Sequence, residues 1–160
     1  MIFDLQSMFS GSVAADGTRS GQAITATAIS SNVIDLRQPG GAPAVVDNGL
    51  LGDNGLWLVV QIGQAFNTLT SLTITMESDS AAALNSAPVV HYSSGAIALA
   101  NLTANKILLR VPLPSADYKR YLGLRYTVAG SNPSTGTVQA FLTFDHGANP
   151  IYPGSFTIDV

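Results

Sequence analysis

The sequence contains no cysteine among its 160 residues, and charged side chains make up only 11% of it. The lack of cysteine excludes disulfide bonds and thiolate metal sites. Typical soluble domains have roughly 25% charged residues, yet this chain has one glutamate, Glu77, and two lysines, Lys106 and Lys119. Charged residues are depleted at the centres of protein interfaces, so this composition favours a protein that covers part of its surface with partners.

Two further absences limit the classes of partner. The formal net charge is −3, which gives no electrostatic basis for nucleic-acid binding. No run of 18 apolar residues occurs, so we expect no membrane-spanning helix and no membrane partner. Residues 1–7 lack a basic segment, and a signal peptide is therefore not expected.

The most informative segment is residues 120–144. Apolar residues alternate with polar or small ones before and after a loop of sequence SNPSTG at residues 131–136. The alternating apolar residues are Leu122, Leu124, Tyr126 and Val128 before the loop, and Val138, Ala140, Leu142 and Phe144 after it. This period of two predicts a long antiparallel hairpin with one face on a core.

Similar patterns elsewhere predict about eight strands and no long helix, hence an all-β fold. Such strands bury their apolar faces against each other in a sandwich, jelly roll or barrel. The long irregular crossings at 37–55 and 93–105 favour a jelly-roll, Greek-key antiparallel β-sandwich. We expect one domain over residues 1–160. Residues 1–20 would form an extended N-terminal arm, and 37–55 a long loop rich in glycine and proline.

The sequence offers no clear catalytic or metal-binding constellation. With one glutamate and scattered aspartates, no catalytic pair of carboxylates is indicated. His91 and His146, the latter beside Asp145, have neither metal-ligand spacing nor a serine in a nucleophile-elbow pattern. The DNGL repeat within 47–56 is typical of two tight Asn-Gly turns rather than a calcium loop. We therefore expect no enzymatic activity, no cofactor and no metal.

Seven residues are candidates for an interface with another chain. Four belong to the predicted arm, and they either tuck under the sandwich or dock on a neighbouring chain. Three lie on the outer face of the predicted hairpin and are large for a surface that meets only water, so we expect Arg125→Ala to weaken assembly more than the isolated fold. The seven are Phe3, Leu5, Met8, Phe9, Tyr121, Arg125 and Phe141.

Four segments in this order resemble a known family, although none of them is a chemical motif alone. They are residues 22–36 (QAITATAISSNVIDL), 94–99 (SGAIAL), 120–130 (RYLGLRYTVAG) and 152–156 (YPGSF). The combination resembles the Bbp16-type capsid cement proteins of tailed bacteriophages. The resemblance implies a jelly-roll domain, symmetric oligomers and binding to the outside of a shell of HK97-type major capsid protein. It implies no catalytic residues.

The expected function is accordingly that of a capsid decoration protein on the virion exterior. It would act as a homodimer or homotrimer that stabilises contacts between major capsid protein subunits. The alternative is a carbohydrate- or host-recognition β-sandwich, which usually presents exposed aromatic side chains. Trp57 lies in the most apolar strand and is expected to be buried, which favours the first interpretation.

Overall fold

The computed structural model describes residues 7–15, 18–36 and 55–144. These residues form β-strands, turns and one short 3-10 turn at Leu99–Asn101, with no α-helix among them, so the predicted all-β class is confirmed. The strands are β1 (Met8–Ser10), β2 (Ser12–Val13), β3 (Arg19–Ser20), β4 (Gln22–Ala23), β5 (Ala28–Ile29), β6 (Ile34–Asp35), β7 (Trp57–Gln64), β8 (Leu69–Asp79), β9 (Val89–Ala98), β10 (Ile107–Pro112), β11 (Tyr121–Gly130) and β12 (Thr137–Thr143).

Ten of these strands form two antiparallel sheets, here called sheet I and sheet II. Sheet I has the order β1-β12-β7-β10, with β4 also beside β12, and sheet II has the order β5-β11-β8-β9, with β6 also beside β11. The remaining strands, β2 and β3, pair with each other. Apolar side chains from the facing sides of the two sheets form the core, which makes the molecule a sandwich.

The chain crosses between the sheets in the pattern of a jelly roll. Strands β7, β10 and β12 lie in sheet I, and β8, β9 and β11 lie in sheet II. The fourth position of sheet I is shared by β1 and β4, and that of sheet II by β5 and β6. Eight strand positions in two four-position sheets are the arrangement of a jelly roll.

The predicted hairpin at residues 120–144 is wrong in one respect. Both strands exist, but β11 pairs with β8 in sheet II and β12 pairs with β7 in sheet I. The SNPSTG loop therefore carries the chain from one sheet to the other. Gly136 closes this corner with φ of +132°, and a Cβ at that position would lie 2.3 Å from the Phe66 ring. Only glycine fits both conditions.

Alternation alone does not distinguish these two arrangements, since a strand buries every second residue in either case. Leu124 and Tyr126 face the core from sheet II, and Val138 and Ala140 face it from sheet I. The last residue of the predicted pattern, Phe144, is 65% exposed and follows the end of β12.

Part of the expected N-terminal arm belongs to the sandwich. Strand β1 pairs with β12, and the side chain of Phe9 is fully buried in the core. The hydroxyl of Ser10 lies 2.7 Å from that of Tyr126 and also donates to the side-chain oxygen of Gln22. Burial raises the pKa of the Tyr126 phenol, which remains protonated and able to hydrogen-bond. An apolar side chain and a satisfied polar one thus fix β1 in place.

Part of the irregular crossing predicted at 93–105 is a strand, because β9 continues to Ala98. It does so through a bulge, in which Ser94 and Gly95 together oppose a single residue of β8. The 37–55 loop, apart from Gly55, lies outside the described residues.

Replacing Phe9 by alanine tests the structural role of β1. We expect Phe9→Ala to lower the free energy of unfolding by about 3–5 kcal/mol, because it empties a fully buried aromatic site. Val13 is 40% exposed on β2, and Val13→Ala should cost no more than about 0.5 kcal/mol. Urea unfolding of both variants gives the comparison. Equal stabilities would contradict the burial of Phe9.

Candidate interaction surface

The longest stretch of sequence without a charged residue runs from Ser80 to Asn105. It spans 26 positions that contain no Asp, Glu, Lys or Arg. The next longest, residues 54–76, consists largely of the central strands β7 and β8, where burial explains the lack of charge. Burial does not explain the first stretch, because only Leu84 and Leu102 within it are buried. We call the exposed residues of 80–105 the uncharged flank.

The uncharged flank contains three consecutive structural parts. It begins with the loop at residues 80–88, continues through β9 at the edge of sheet II, and ends with the 3-10 turn and the residues up to 105. Its exposed apolar side chains include Val89 and Val90, which are 43% and 53% exposed. Ala82, Ala83 and Pro88 are exposed beside them. The flank is therefore one continuous segment of the chain that includes an edge strand of the sandwich.

Three charged side chains from outside the flank hold its loop through backbone hydrogen bonds. The carboxylate of Asp79 accepts from the backbone N–H groups of Ser80 and Ser86 at 2.6 and 2.7 Å. The guanidinium of Arg125 donates to the carbonyl of Leu84 at 2.6 Å, and the ammonium of Lys119 donates to the carbonyl of Ala87. The loop is thus fixed by charges although its own side chains carry none.

Asp79 is the most completely enclosed of these three groups. Its side chain is buried, which by itself would raise its pKa. The backbone N–H groups of Ser86, Ser80 and Ala81 act in the opposite direction, and the pKa of Asp79 falls below its ordinary value of 3.8. The carboxylate is therefore ionised in the folded protein at neutral pH, and this ionised form is the one that accepts from the loop.

Arg125 is itself held by the one glutamate of the sequence. Its Nε donates to the Glu77 carboxylate at 2.9 Å, where the Glu77 side chain is 5% exposed and that of Arg125 29%. The hydroxyl of Thr75 also donates to Glu77 at 2.6 Å. A Cβ at Gly123 would lie 2.8 Å from Leu84 Cδ1. The lack of a side chain at Gly123 on β11 therefore allows Leu84 to pack directly against the sheet.

His91 on β9 is satisfied by a neighbouring strand, in agreement with the expectation that it is a structural histidine. Its Nε2 lies 2.7 Å from the hydroxyl of Ser78, which also accepts from the backbone N–H of Lys119 at 2.9 Å. The Tyr118 ring packs against the imidazole with 4.5 Å between ring centroids. Burial lowers the pKa of His91, so the ring is neutral at pH 7.

The predicted interface residues are placed as follows. Met8 and Phe141 are buried together with Val59 in a small second cluster on the outer side of sheet I, and Phe9 is in the main core. Tyr121 is half-buried, with the Arg120 guanidinium 4.7 Å above its ring, and Arg125 has the contacts described above. Phe3 and Leu5 lie outside the described residues. The five that the structure describes do not lie on one surface.

Sequence reasoning missed the uncharged flank, although its signal was present. The overall scarcity of charge does not show where along the chain the longest gap between charged residues lies. The gap becomes informative only once exposure is known, since a buried strand gives the same gap. Trp57, expected to be buried, is half-buried on β7.

The described part of the chain contains no group of three or more metal-ligating side chains. Asp145, His146 and most of the DNGL repeat lie outside it. In the same part, no helix has the length and apolar character needed to cross a bilayer.

A family model described as Bbp16 matches residues 18–142, which is more than half of the chain and includes all of the uncharged flank. No curated protein matches the sequence.

Asp79→Asn should make the melting temperature of the protein less dependent on pH. Because the folded pKa of Asp79 lies below 3.8, its carboxylate stabilises the fold above about pH 4, and this contribution disappears as the pH falls through the lowered pKa. The variant should therefore melt below the wild type at pH 7, with a difference that narrows toward pH 2.5. The control is Asp117→Asn at an exposed position. Parallel melting curves at every pH would contradict this role.

Arg125→Ala should destabilise the isolated fold, whereas the sequence alone led to the expectation of a larger effect on assembly. The substitution leaves the buried carboxylate of Glu77 without its ionic partner and frees the carbonyl of Leu84, at a cost of about 2–3 kcal/mol. Arg120→Ala is the matched control, because the Arg120–Asp35 pair is 37% and 40% exposed and salt screens it. Urea unfolding at low and high salt should show a large loss for the first variant and little for the second.

Proposed function

The chain belongs to the Bbp16 family, and from this premise we propose that it is a capsid cement protein. It binds the outer surface of a bacteriophage head as an oligomer and stabilises contacts between subunits of an HK97-type major capsid protein. The family membership rests on residues 18–142, and the shell as partner follows from the resemblance described above.

The observation that carries the proposal is the exposed uncharged flank. An exposed segment of this length with no charged side chain of its own is unusual for a protein that meets only water, because exposed segments usually carry many of a protein's charges. It is usual for the centre of a protein–protein contact, where charge is depleted. The flank therefore suits a protein that functions as part of an assembly.

The loop at residues 80–88, here called the clamped loop, also suits a protein that binds a partner. A loop that becomes ordered only on binding weakens the binding, because the entropy lost in ordering it opposes the free energy gained from the contact. Here the loop at residues 80–88 is already fixed by Asp79, Arg125 and Lys119. Its exposed alanines are consequently presented to a partner on a rigid support.

The proposed mechanism combines preferential binding to the assembled shell with many repeated contacts. A protein that binds the assembled shell but not free subunits shifts the equilibrium toward the shell. Each contact can be weak, because an oligomer that spans two capsid subunits gains from the high effective concentration of its second site. Stabilisation then needs neither a cofactor nor a chemical step.

The sugar-binding alternative has less support in the described residues. A sugar-stacking site usually needs an exposed aromatic platform on one face of a sheet. Trp57 is only half-exposed on β7, and the large hydrophobic side chains that are well exposed are Val13, Val89, Val90 and Phe144.

Two measurements on purified virions test the proposal. Mass spectrometry should find the protein in the particle, and cryo-electron microscopy should place its sandwich on the outer surface across joints between capsid subunits. Shells stripped of the protein should melt at a lower temperature and recover when it is added back. Absence from the virion, or density only in the tail or interior, would refute the function.

A pair of charge variants tests the surface in the same add-back assay. Ala83→Lys puts a charge on the exposed clamped loop and should lower the recovery of shell stability. Ser131→Lys puts the same charge in the exposed loop between β11 and β12 and should restore the shell as the wild type does. If both variants behave alike, the clamped loop is not part of the contact.

A further inference from the structure

We propose that the free edge of β9 pairs with β9 of a second copy of this chain, in antiparallel orientation about a two-fold axis. The two copies of sheet II would then form one continuous sheet. The inference deepens the proposed function, on which its biological meaning rests, by naming the surface that makes the cement protein an oligomer.

The first observation is that β9 is long, exposed and open on one side. It spans ten residues, all exposed or half-buried, and pairs with β8 on one side only. No other strand in the described part of the chain lies along its second side. Such an edge offers a row of backbone donors and acceptors to any strand that approaches.

The second observation is a contrast within the same molecule. Strand β10 is the corresponding edge of sheet I, and it carries the features that usually prevent pairing. Arg110 is exposed in its middle, Pro112 ends it without a backbone donor, and the exposed Lys106 precedes it. Strand β9 has no proline, lysine, arginine or acid. Charge and proline thus protect the edge of β10 but not the edge of β9.

Charge argues for a second copy as the occupant. In a two-fold pair each strand faces its own sequence, so a charge near the axis would meet the same charge. A different partner could neutralise such a charge with an opposite one, and an edge adapted to it has no need to be free of charge. Because β9 carries no charge, two copies of it can pair without the repulsion between identical charges that is specific to self-pairing.

The side chains of β9 also permit close approach. Cross-strand partners place Val90 with Glu77, Ser93 with Thr75 and Ala96 with Thr73 on the outer face of sheet II. Small residues predominate from Ser93 to Ala98, so neither face of the strand obstructs a neighbour. Tyr92 and Ile97 point the other way and pack against the core.

The two irregularities in the β8–β9 pairing fit the same partner. One follows Met76 and the other includes Gly95, which has φ of +66°. Bulges of this kind increase the local twist and usually make an edge a poor match for a flatter strand. An identical strand carries the same twist, so the distortion that excludes other strands is matched by a second β9.

Sedimentation of the free protein tests the pairing with charge variants. The wild type should be a dimer, and Ala96→Lys should raise its dissociation constant about tenfold or more, because each copy then carries an unpaired charge into the paired edge. The matched control is Thr127→Lys, which lies on the same face and cross-strand row but on β11, two strands from the edge. Thermal melting of both variants verifies that they fold.

The absence of cysteine from the sequence allows a second, independent test. A two-fold axis normal to the sheet puts one residue of β9 directly opposite its own copy, at a Cα separation of about 4.5–5.5 Å that a disulfide spans. Single cysteines placed in turn from Val89 to Ala98 should therefore cross-link the dimer most strongly at one position. Thr127→Cys should not cross-link.

The outcomes separate this inference from the proposed function. A monomer in solution whose β9 amides become protected from hydrogen exchange only on the shell would mean that β9 pairs with the capsid protein. A dimer that survives Ala96→Lys and shows no cross-linking peak in β9 would mean that another surface joins the copies. Either result overturns self-pairing and leaves shell binding standing. A β9-linked dimer absent from virions would support self-pairing and refute the cement function.

Discussion

The uncharged flank depends on hydrogen bonds between charged side chains and the backbone of the loop at residues 80–88. Glu77 positions Arg125, and Arg125, Asp79 and Lys119 bind backbone groups of residues 80–88. A loop usually satisfies its backbone groups with water or with its own polar side chains. Here ionised groups do so instead, from Asp79 on β8, from Arg125 in the middle of β11 and from Lys119, two residues before β11. This leaves the loop's own side chains free to be mainly alanine, proline and serine. A chain with 11% charged residues thus uses several of them to order a surface that has none.

This arrangement has an energetic asymmetry. A buried carboxylate without its partner costs far more than an exposed ion pair returns. Loss of Arg125 would therefore destabilise the sheet by leaving Glu77 unpaired. The same guanidinium also binds the carbonyl of Leu84 and so holds the loop. Gly123 contributes by leaving room for the Leu84 side chain. Fold stability and the shape of the candidate contact surface are consequently not independent properties of this protein.

The sequence was sufficient for the fold class but not for the pairing of strands. Period-two alternation identified β11 and β12 because each buries every second residue in the core. It could not say that β11 and β12 lie in opposite sheets, since facing and neighbouring strands bury the same residues. Phe9 and Phe141 illustrate a second limit: an aromatic residue in an apparent arm or on an apparent outer face gives no sign of the cluster that covers it. The uncharged flank illustrates a third, because a gap in charge has opposite meanings on a buried strand and on an edge.

The neutral edge of β9 is a hazard for a protein that stays free in solution. An exposed, uncharged strand pairs with any compatible strand, and repeated pairing without closure leads to aggregation. A two-fold pair resolves this hazard, because two copies of β9 cover each other and leave no further open edge in sheet II on that side. Edge β10 remains, but Arg110 and Pro112 already protect it. A closed dimer of this kind would present two clamped loops at fixed separation, which is the geometry that a bivalent bridge between capsid subunits requires.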